Sequence, residues 1–183
     1  MAYKLDIRLS GSGGQGLILA GIILANAGIK DGYNAIQSQS YGPEARGGAS
    51  KAEVIISDQE IYYPKVGKSD VLLAMSQAAY NKYIQDIREE SVLIIDSTLV
   101  KNIEKHQGEK LYYTSITELA IKGTGREMTA NIVALGVIAG ITRVVSEEAL
   151  KEALLERIPV GTEKLNIKAL TLGLEKGAEL RIS

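Results

Sequence analysis

An α/β fold, with a mostly parallel sheet between layers of helices and a helical C-terminal portion, is what the chain's hydrophobic periodicity predicts. The first sign is a glycine turn that separates two kinds of periodicity. Tyr3 to Leu9 alternates apolar and polar residues, as a strand does, whereas Leu17 to Ile29 is apolar on nearly every side, with small residues interspersed, as in a helix packed on a sheet. The second is a continuous apolar run, Val71 to Met75, of the kind found in buried parallel strands, and a second buried strand, Ser91 to Asp96, with Val92 to Ile95 apolar. The third is the stretch from Ser115 onward, which contains only helical patterns. Strands alternating with helices imply a three-layer arrangement. With 183 residues and no linker, repeat or low-complexity tract, residues 1–183 read as a single domain.

In chain order, the first strand runs into Gly11-Ser12-Gly13-Gly14-Gln15-Gly16 and then into the first helix. Lys30-Asp31-Gly32 is a turn, and Tyr33 to Ser40 is a second, polar strand. Tyr41 to Gly48 is a loop with three glycines and a proline. Lys51 to Ser57 is a strand, and Ile61-Tyr62-Tyr63 is expected to form a short one stopped by Pro64. After the strand at Val71 to Met75, Gln77 to Ile87 has helical spacing. Ser91 to Asp96 and Lys110 to Thr114 complete the strands. Thr117 to Lys122 is a short helix ending at Gly123. Ala130 to Ile141 is apolar all round, and Gly136 and Gly140, four apart, allow another helix to pack closely. Ser146 caps a helix with Glu147 and Glu148 in its first turn and an apolar stripe of Leu150, Leu154 and Ile158, closed by Pro159. Glu163 to Leu180 is the last helix.

Composition excludes several classes of function. A formal net charge of −1 and the lack of any basic stripe argue against nucleic-acid binding. No apolar run is long enough to span a bilayer, and Met1 to Asp6 lacks the apolar core of a signal peptide, so no membrane association and a cytoplasmic location are expected. The absence of cysteine removes disulfides, thiolate metal sites and any iron–sulfur cluster held by this chain alone. The single histidine, His106, sits in a polar turn and reads as solvated. All nine aromatic residues are tyrosines, including the pairs Tyr62-Tyr63 and Tyr112-Tyr113, which suit half-buried or interface positions.

Two loops carry the functional signal. Gly11 to Gly16 fits G-x-G-x-x-G between a strand and a helix, where unpaired N–H groups and the positive end of the helix dipole suit a phosphate or carboxylate. A dinucleotide site also needs an acidic residue at the end of the second strand, and Gln37-Ser38-Gln39-Ser40 offers none. No Gly-Lys-Ser/Thr follows, so the turn is not a P-loop. A bare strand–helix junction would need fewer glycines, because each costs unfolded-state entropy. The second loop, Tyr41 to Gly48, leaves a strand end expected on the same sheet edge. In it, Arg46 either grips a carboxylate or phosphate through its planar fork or pins the loop by bonding Glu44 or a carbonyl. No nucleophile–base arrangement appears.

Together these loops, the strand Ala52 to Asp58 and the segment Ala130-Asn131-Ile132-Val133-Ala134-Leu135-Gly136 resemble the gamma subunit of 2-oxoacid:ferredoxin oxidoreductases over essentially the whole chain. The form Gln-Ser-Tyr-Gly-Pro-Glu-Ala-Arg-Gly-Gly is most similar to the 2-oxoglutarate type. The chain departs from its relatives before Thr117, where they often carry a proline. The resemblance implies a complex that decarboxylates a 2-oxo acid with thiamine diphosphate and magnesium. Such a complex passes electrons through iron–sulfur clusters to ferredoxin and transfers the acyl group to coenzyme A. This chain has no Gly-Asp-Gly motif for the diphosphate, so it is expected to bind none of these cofactors alone and to have no catalytic residue of its own. Its implied partners are alpha and beta subunits, with a ferredoxin-like delta subunit where present. The resemblance makes Gly11, Ser12, Gly13, Gly14, Gln15, Gly16, Tyr41, Glu44, Arg46, Gly47 and Gly48 the candidate edge for docking and for coenzyme A phosphates. Two alternatives stay open: the small subunit of an indolepyruvate:ferredoxin oxidoreductase, and a free-standing dinucleotide-binding oxidoreductase.

Overall fold

A computed structural model describes residues 3–39, 48–104 and 110–182. Six strands form one sheet: β1 (Lys4–Ser12), β2 (Asn34–Gln39), β3 (Ala49–Ser57), β4 (Ser69–Ala74), β5 (Ile87–Asp96) and β6 (Lys110–Thr114). Their spatial order is β2-β3-β1-β4-β5-β6. The pairs β1–β4, β4–β5 and β5–β6 are parallel, while β3 is antiparallel to both β1 and β2. One strand, β3, therefore runs against the other five, and the sheet is mixed but mostly parallel, as periodicity predicts.

Six helices flank it: α1 (Leu17–Lys30), α2 (Gln77–Tyr83), α3 (Ile116–Thr124), α4 (Ala130–Thr142), α5 (Glu147–Leu155) and α6 (Glu163–Ile182). One sheet face carries most of them. There Ile7, Leu9, Val54, Ile56, Leu73 and Ile94 join a core with residues of α1, α3, α4, α5 and α6. The other face is thinner, with Leu72, Ala74, Leu93 and Ile95 packed against Ala79, Tyr80 and Tyr83 of α2, Ile84 and Val100. The chain thus has the expected three layers, unequal in weight.

At the α4–α6 crossing, the Gly136/Gly140 stripe meets a matching stripe on α6, Gly173 and Gly177. A Cβ on Gly140 would lie 2.7 Å from the Leu174 carbonyl oxygen, and one on Gly173 would collide with the Val133 carbonyl. Glycine on both helices lets the backbones touch.

Several element boundaries differ from the sequence reading. The helix expected to reach Ile87 stops at Tyr83, followed by a 3₁₀ turn over Ile84–Asp86, and Ile87 instead opens β5. Helix α3 extends past Gly123 to Thr124, where Gly125, at φ 75°, ends it in the left-handed conformation. Helix α5 ends at Leu155 rather than running to Ile158. Ile61-Tyr62-Tyr63 is not a strand, and Tyr62 and Tyr63 are 88% and 67% exposed. Ile61 and Tyr62 lie beside Asn34, Ala35 and Ile36 of β2, the edge strand of the sheet, without forming a ladder with it.

A polar anchor fixes the segment that follows. Alternation in β1 would normally place its polar side chains in water, yet Asp6, Arg8 and Ser10 are buried because the second face is also covered. Arg8, 2% exposed, pairs with Glu53 at 3.0 Å. It also donates to the carbonyls of Val66 (3.0 Å) and Gly67 (2.9 Å), beneath the Tyr83 ring at 5.3 Å. A buried guanidinium has to be neutralised and fully bonded, and here that requirement straps residues 66–67 to the sheet.

Candidate functional site

The glycine turn lies at the sheet edge where β1, β2, β4, β5 and β6 end. Ser12 pairs with Ala49 and Gly11 with Ser50, and Gln39 at the end of β2 pairs with Ala52. The strand ends that flank the second loop therefore lie at the edge occupied by the first. Gly48, half-buried, leads into β3 at that edge. Tyr41, Glu44, Arg46 and Gly47 lie outside the described residues, as does His106.

Within the turn, Ser12, Gly13 and Gly14 are exposed, while Gly11 is buried. Gly14 and Gly16 have φ of 88° and 73°, conformations that L side chains rarely adopt. Among the described residues, a Cβ on Gly14 would meet nothing within 4 Å, so they leave the outer side of the turn open. The turn delivers the chain into α1 with Gly16 as a cap that has no side chain. Ala20 N donates to the Gly16 carbonyl, and no acid stands in the first helical turn. The helix N-terminus thus keeps its positive partial charge and outward amides.

Gln15 behaves differently from its neighbours, because its side chain folds inward. Its Oε1 accepts from Ser12 N at 2.7 Å, and its Nε2 donates to the Met75 carbonyl at 3.0 Å. Of the predicted residues, Gly11, Ser12, Gly13, Gly14, Gln15, Gly16 and Gly48 are therefore brought to one edge, and the Gln15 amide is bonded inside it.

Sequence reasoning gave no site role to the opposite wall. A groove of about 530 Å³ runs from Gly14, Gln15 and Gly16 past Leu19 to Thr117, Glu127, Met128, Ala130 and Asn131. Met128, 74% exposed, sits on the 3₁₀ turn Glu127–Thr129 that precedes α4. A hydroxyl pair, Thr124 Oγ1 to Thr129 Oγ1 at 2.8 Å, holds that turn, and Thr129 also donates to the Arg126 carbonyl. Asn131 is buried; its Nδ2 donates to the Gly16 carbonyl at 3.1 Å, and its Oδ1 accepts from Ile132 N. A Cβ on Gly16 would fall 2.5 Å from Asn131 Nδ2, so this close approach, like the positive φ, requires glycine. The signal that could have found Asn131 is its place as a polar residue inside an apolar run, since a buried polar group needs a partner.

Other polar groups nearby are engaged. Asp96, buried at the end of β5, accepts from Thr98 N, Thr117 N and the Thr117 hydroxyl. A larger cavity, about 670 Å³, lies at the far end of α1 and includes Asp31, Tyr33, Arg143 and Arg181 in its lining. There Asp31 accepts from Ser146 N and Oγ at 2.6 and 2.7 Å. Among the described residues, no group of three or more His, Cys, Asp or Glu side chains converges to hold a metal ion, and no helix is long and apolar enough to cross a membrane. Thiamine diphosphate is bound through a divalent cation with oxygen ligands, and the donor sets described here do not fit it.

Known proteins match the chain over most of its length. The family model for pyruvate ferredoxin/flavodoxin oxidoreductase matches residues 6–176. The chain is 46% identical to the 2-oxoglutarate synthase subunit KorC of Methanocaldococcus jannaschii, covering 97% of this chain and 96% of that one. It is 24% identical to the indolepyruvate oxidoreductase subunit IorB of Archaeoglobus fulgidus. Among solved structures, it matches the keto/oxoacid ferredoxin oxidoreductase gamma subunit of Geobacter sulfurreducens with a TM-score of 0.89 and 47% identity, covering 97% of this chain and 98% of that one. The 2-oxoglutarate:ferredoxin oxidoreductase of Magnetococcus marinus, solved with 2-oxoglutarate, coenzyme A and succinyl-CoA bound, shares the fold at a TM-score of 0.84 and 24% identity. The match covers 98% of this chain and 31% of that one.

Proposed function

The chain belongs to the pyruvate ferredoxin/flavodoxin oxidoreductase family, and we propose that it is the gamma subunit of a complex oxidising 2-oxoglutarate to succinyl-CoA with reduction of ferredoxin. The observation that carries this reading is the end-to-end 46% identity with a 2-oxoglutarate synthase subunit, against 24% with the indolepyruvate subunit. The lower figure disfavours the aryl-pyruvate alternative. A free-standing dinucleotide enzyme is disfavoured by the polar, acid-free end of β2. On this reading thiamine diphosphate and the clusters belong to alpha, beta and delta chains.

The role assigned to this chain is to lend its glycine edge to an active centre housed on its partners. Coenzyme A, when bound, supplies the thiol that accepts the acyl group. Its phosphates fit the α1 N-terminus, which is donor-rich and carries no acid of its own, and the open side of Gly14 leaves room for them. The groove beyond, with Leu19 and Met128 on its walls, suits a flexible, partly apolar arm. Ser12, Gly13, Gly14 and Gly16 are the residues assigned to this contact. Tyr41, Glu44, Arg46, Gly47 and Gly48 are assigned to the same edge from the sequence, with Arg46 as the bidentate partner of an anion.

Affinity purification from native extract, followed by a cofactor assay of each band and substrate profiling, tests the proposal. Co-elution with chains containing thiamine diphosphate and iron, with turnover greatest on 2-oxoglutarate, is the expected result. Preference for indolepyruvate would move the chain to the sister assembly. Turnover of a redox substrate by the isolated polypeptide with its own dinucleotide would end the reading.

A further inference from the structure

We propose that Gln15 is a positioning residue of the glycine edge, locking the open turn to the sheet so that its outward amides meet the anion at fixed geometry. The inference rests on the reading that this edge receives coenzyme A. Its first support is the span of the carboxamide, which joins Ser12 at the end of β1 to Met75 just beyond β4 through bonds of 2.7 and 3.0 Å. Reversing the amide would set oxygen against the Met75 carbonyl and N–H₂ against the Ser12 N–H, so both bonds together fix its orientation.

A second support comes from Gly11. A Cβ there would collide with Gln15 Oε1 and come within 2.9 Å of Leu17 Cδ1, although Gly11 has no positive φ that demands glycine. Gly11 is thus the space into which the Gln15 amide folds. The third is the exposed arc itself: among the described residues, nothing lies within 4 Å of where a Cβ on Gly14 would sit, so none of them packs against the turn at that point. A turn that is open outward and built from glycine depends on an inner tie for its shape. Gln15 supplies that tie, which assigns its side chain to holding the edge rather than to touching the ligand.

The assembled complex is tested with Gln15→Ala, Gln15→Glu and Gly11→Ala subunits and with the Gly11→Ala/Gln15→Ala double variant. Glutamate can still accept from Ser12 N but repels the Met75 carbonyl. Each single substitution is expected to raise the KM for coenzyme A by about tenfold or more, with kcat and the thermal midpoint largely retained. The double variant should be no worse than the more affected single one, because Gln15→Ala removes the group that Gly11→Ala displaces. An unchanged KM in Gln15→Ala and Gln15→Glu, or multiplicative effects in the double variant, would overturn the inference. If Gln15→Ala fails to fold, Gln15→Glu and Gly11→Ala carry the same test. Gly14→Val separates the two levels: if it too leaves KM and assembly unchanged, the edge reading itself fails. If Gly14→Val is impaired while Gln15→Ala is not, only the positioning role is lost.

Discussion

A methyl group on Gly136, Gly140, Gly173 or Gly177 would land on backbone atoms of the facing helix, whereas one on Gly14 would meet none of the described residues within 4 Å. Both regions are glycine-rich, but glycine does opposite work in them. At the α4–α6 crossing the missing side chain is space already filled by another backbone, and the benefit is van der Waals contact in the core. At the sheet edge the missing side chain is space left empty, and the benefit is a backbone that can adopt positive φ and present its amides. The start of α6 makes the same point from another side. Gly161 also has positive φ and open surroundings, yet its N–H is taken by the Glu163 carboxylate at 2.9 and 3.0 Å. There the chain supplies its own anion; at α1 the first turn holds no acid.

Substitutions can break this contrast. Gly173→Ala is expected to have the largest effect on stability, about 3 kcal/mol or more, because neither backbone at the crossing can move aside cheaply. Urea unfolding would measure it, and a loss below about 1 kcal/mol would mean that the crossing relaxes easily. Gly14→Val should cost roughly 1–2 kcal/mol for its left-handed backbone while abolishing assembly or coenzyme A-dependent turnover. Gly32→Val is the control. Gly32 has φ 86° and nothing within 4 Å, but it follows α1 at the other end of the sheet. A similar backbone cost of roughly 1–2 kcal/mol with full turnover is expected; equal loss of turnover in both variants would make the Gly14 effect one of stability alone.

The smallest expected effect is on the pH dependence of stability. The Gly161 N–H, and then its own backbone N–H, hold the Glu163 carboxyl below its ordinary value. A carboxylate whose folded pKa is depressed stabilises the fold fully above its unfolded pKa, and that contribution fades as pH falls through the folded value. Glu163→Gln should flatten the acid limb of the stability profile and leave neutral-pH turnover unchanged. An acid limb identical to that of the wild type would show that this helix start contributes nothing.

Much of this was readable in order along the chain. The strand–turn–helix at residues 3–29, the apolar strands and the α4 stripe each follow from short-range periodicity, and the structure places them within a few residues of the expected bounds. Ile61-Tyr62-Tyr63 failed because β-propensity is local, whereas a strand exists only where backbone groups pair across a ladder, and this segment pairs with none among the described residues. The burial of Arg8 was hidden for a related reason: alternation marks two faces, but not whether something covers the second.

The sequence by itself determined the α/β class, the glycine turn at a strand end and the resemblance to a gamma subunit, because all three reside in spacing and residue type over short windows. Only the tertiary structure decided that β3 runs against its neighbours, that α6 carries the second glycine stripe of the crossing, and that Gln15 and Asn131 hold the turn through Met75 and Gly16. Those facts depend on groups far apart in sequence, 60 residues for Gln15 and Met75 and 115 for Gly16 and Asn131, and a hydrogen bond or a close approach has no local signature until the chain has closed on itself.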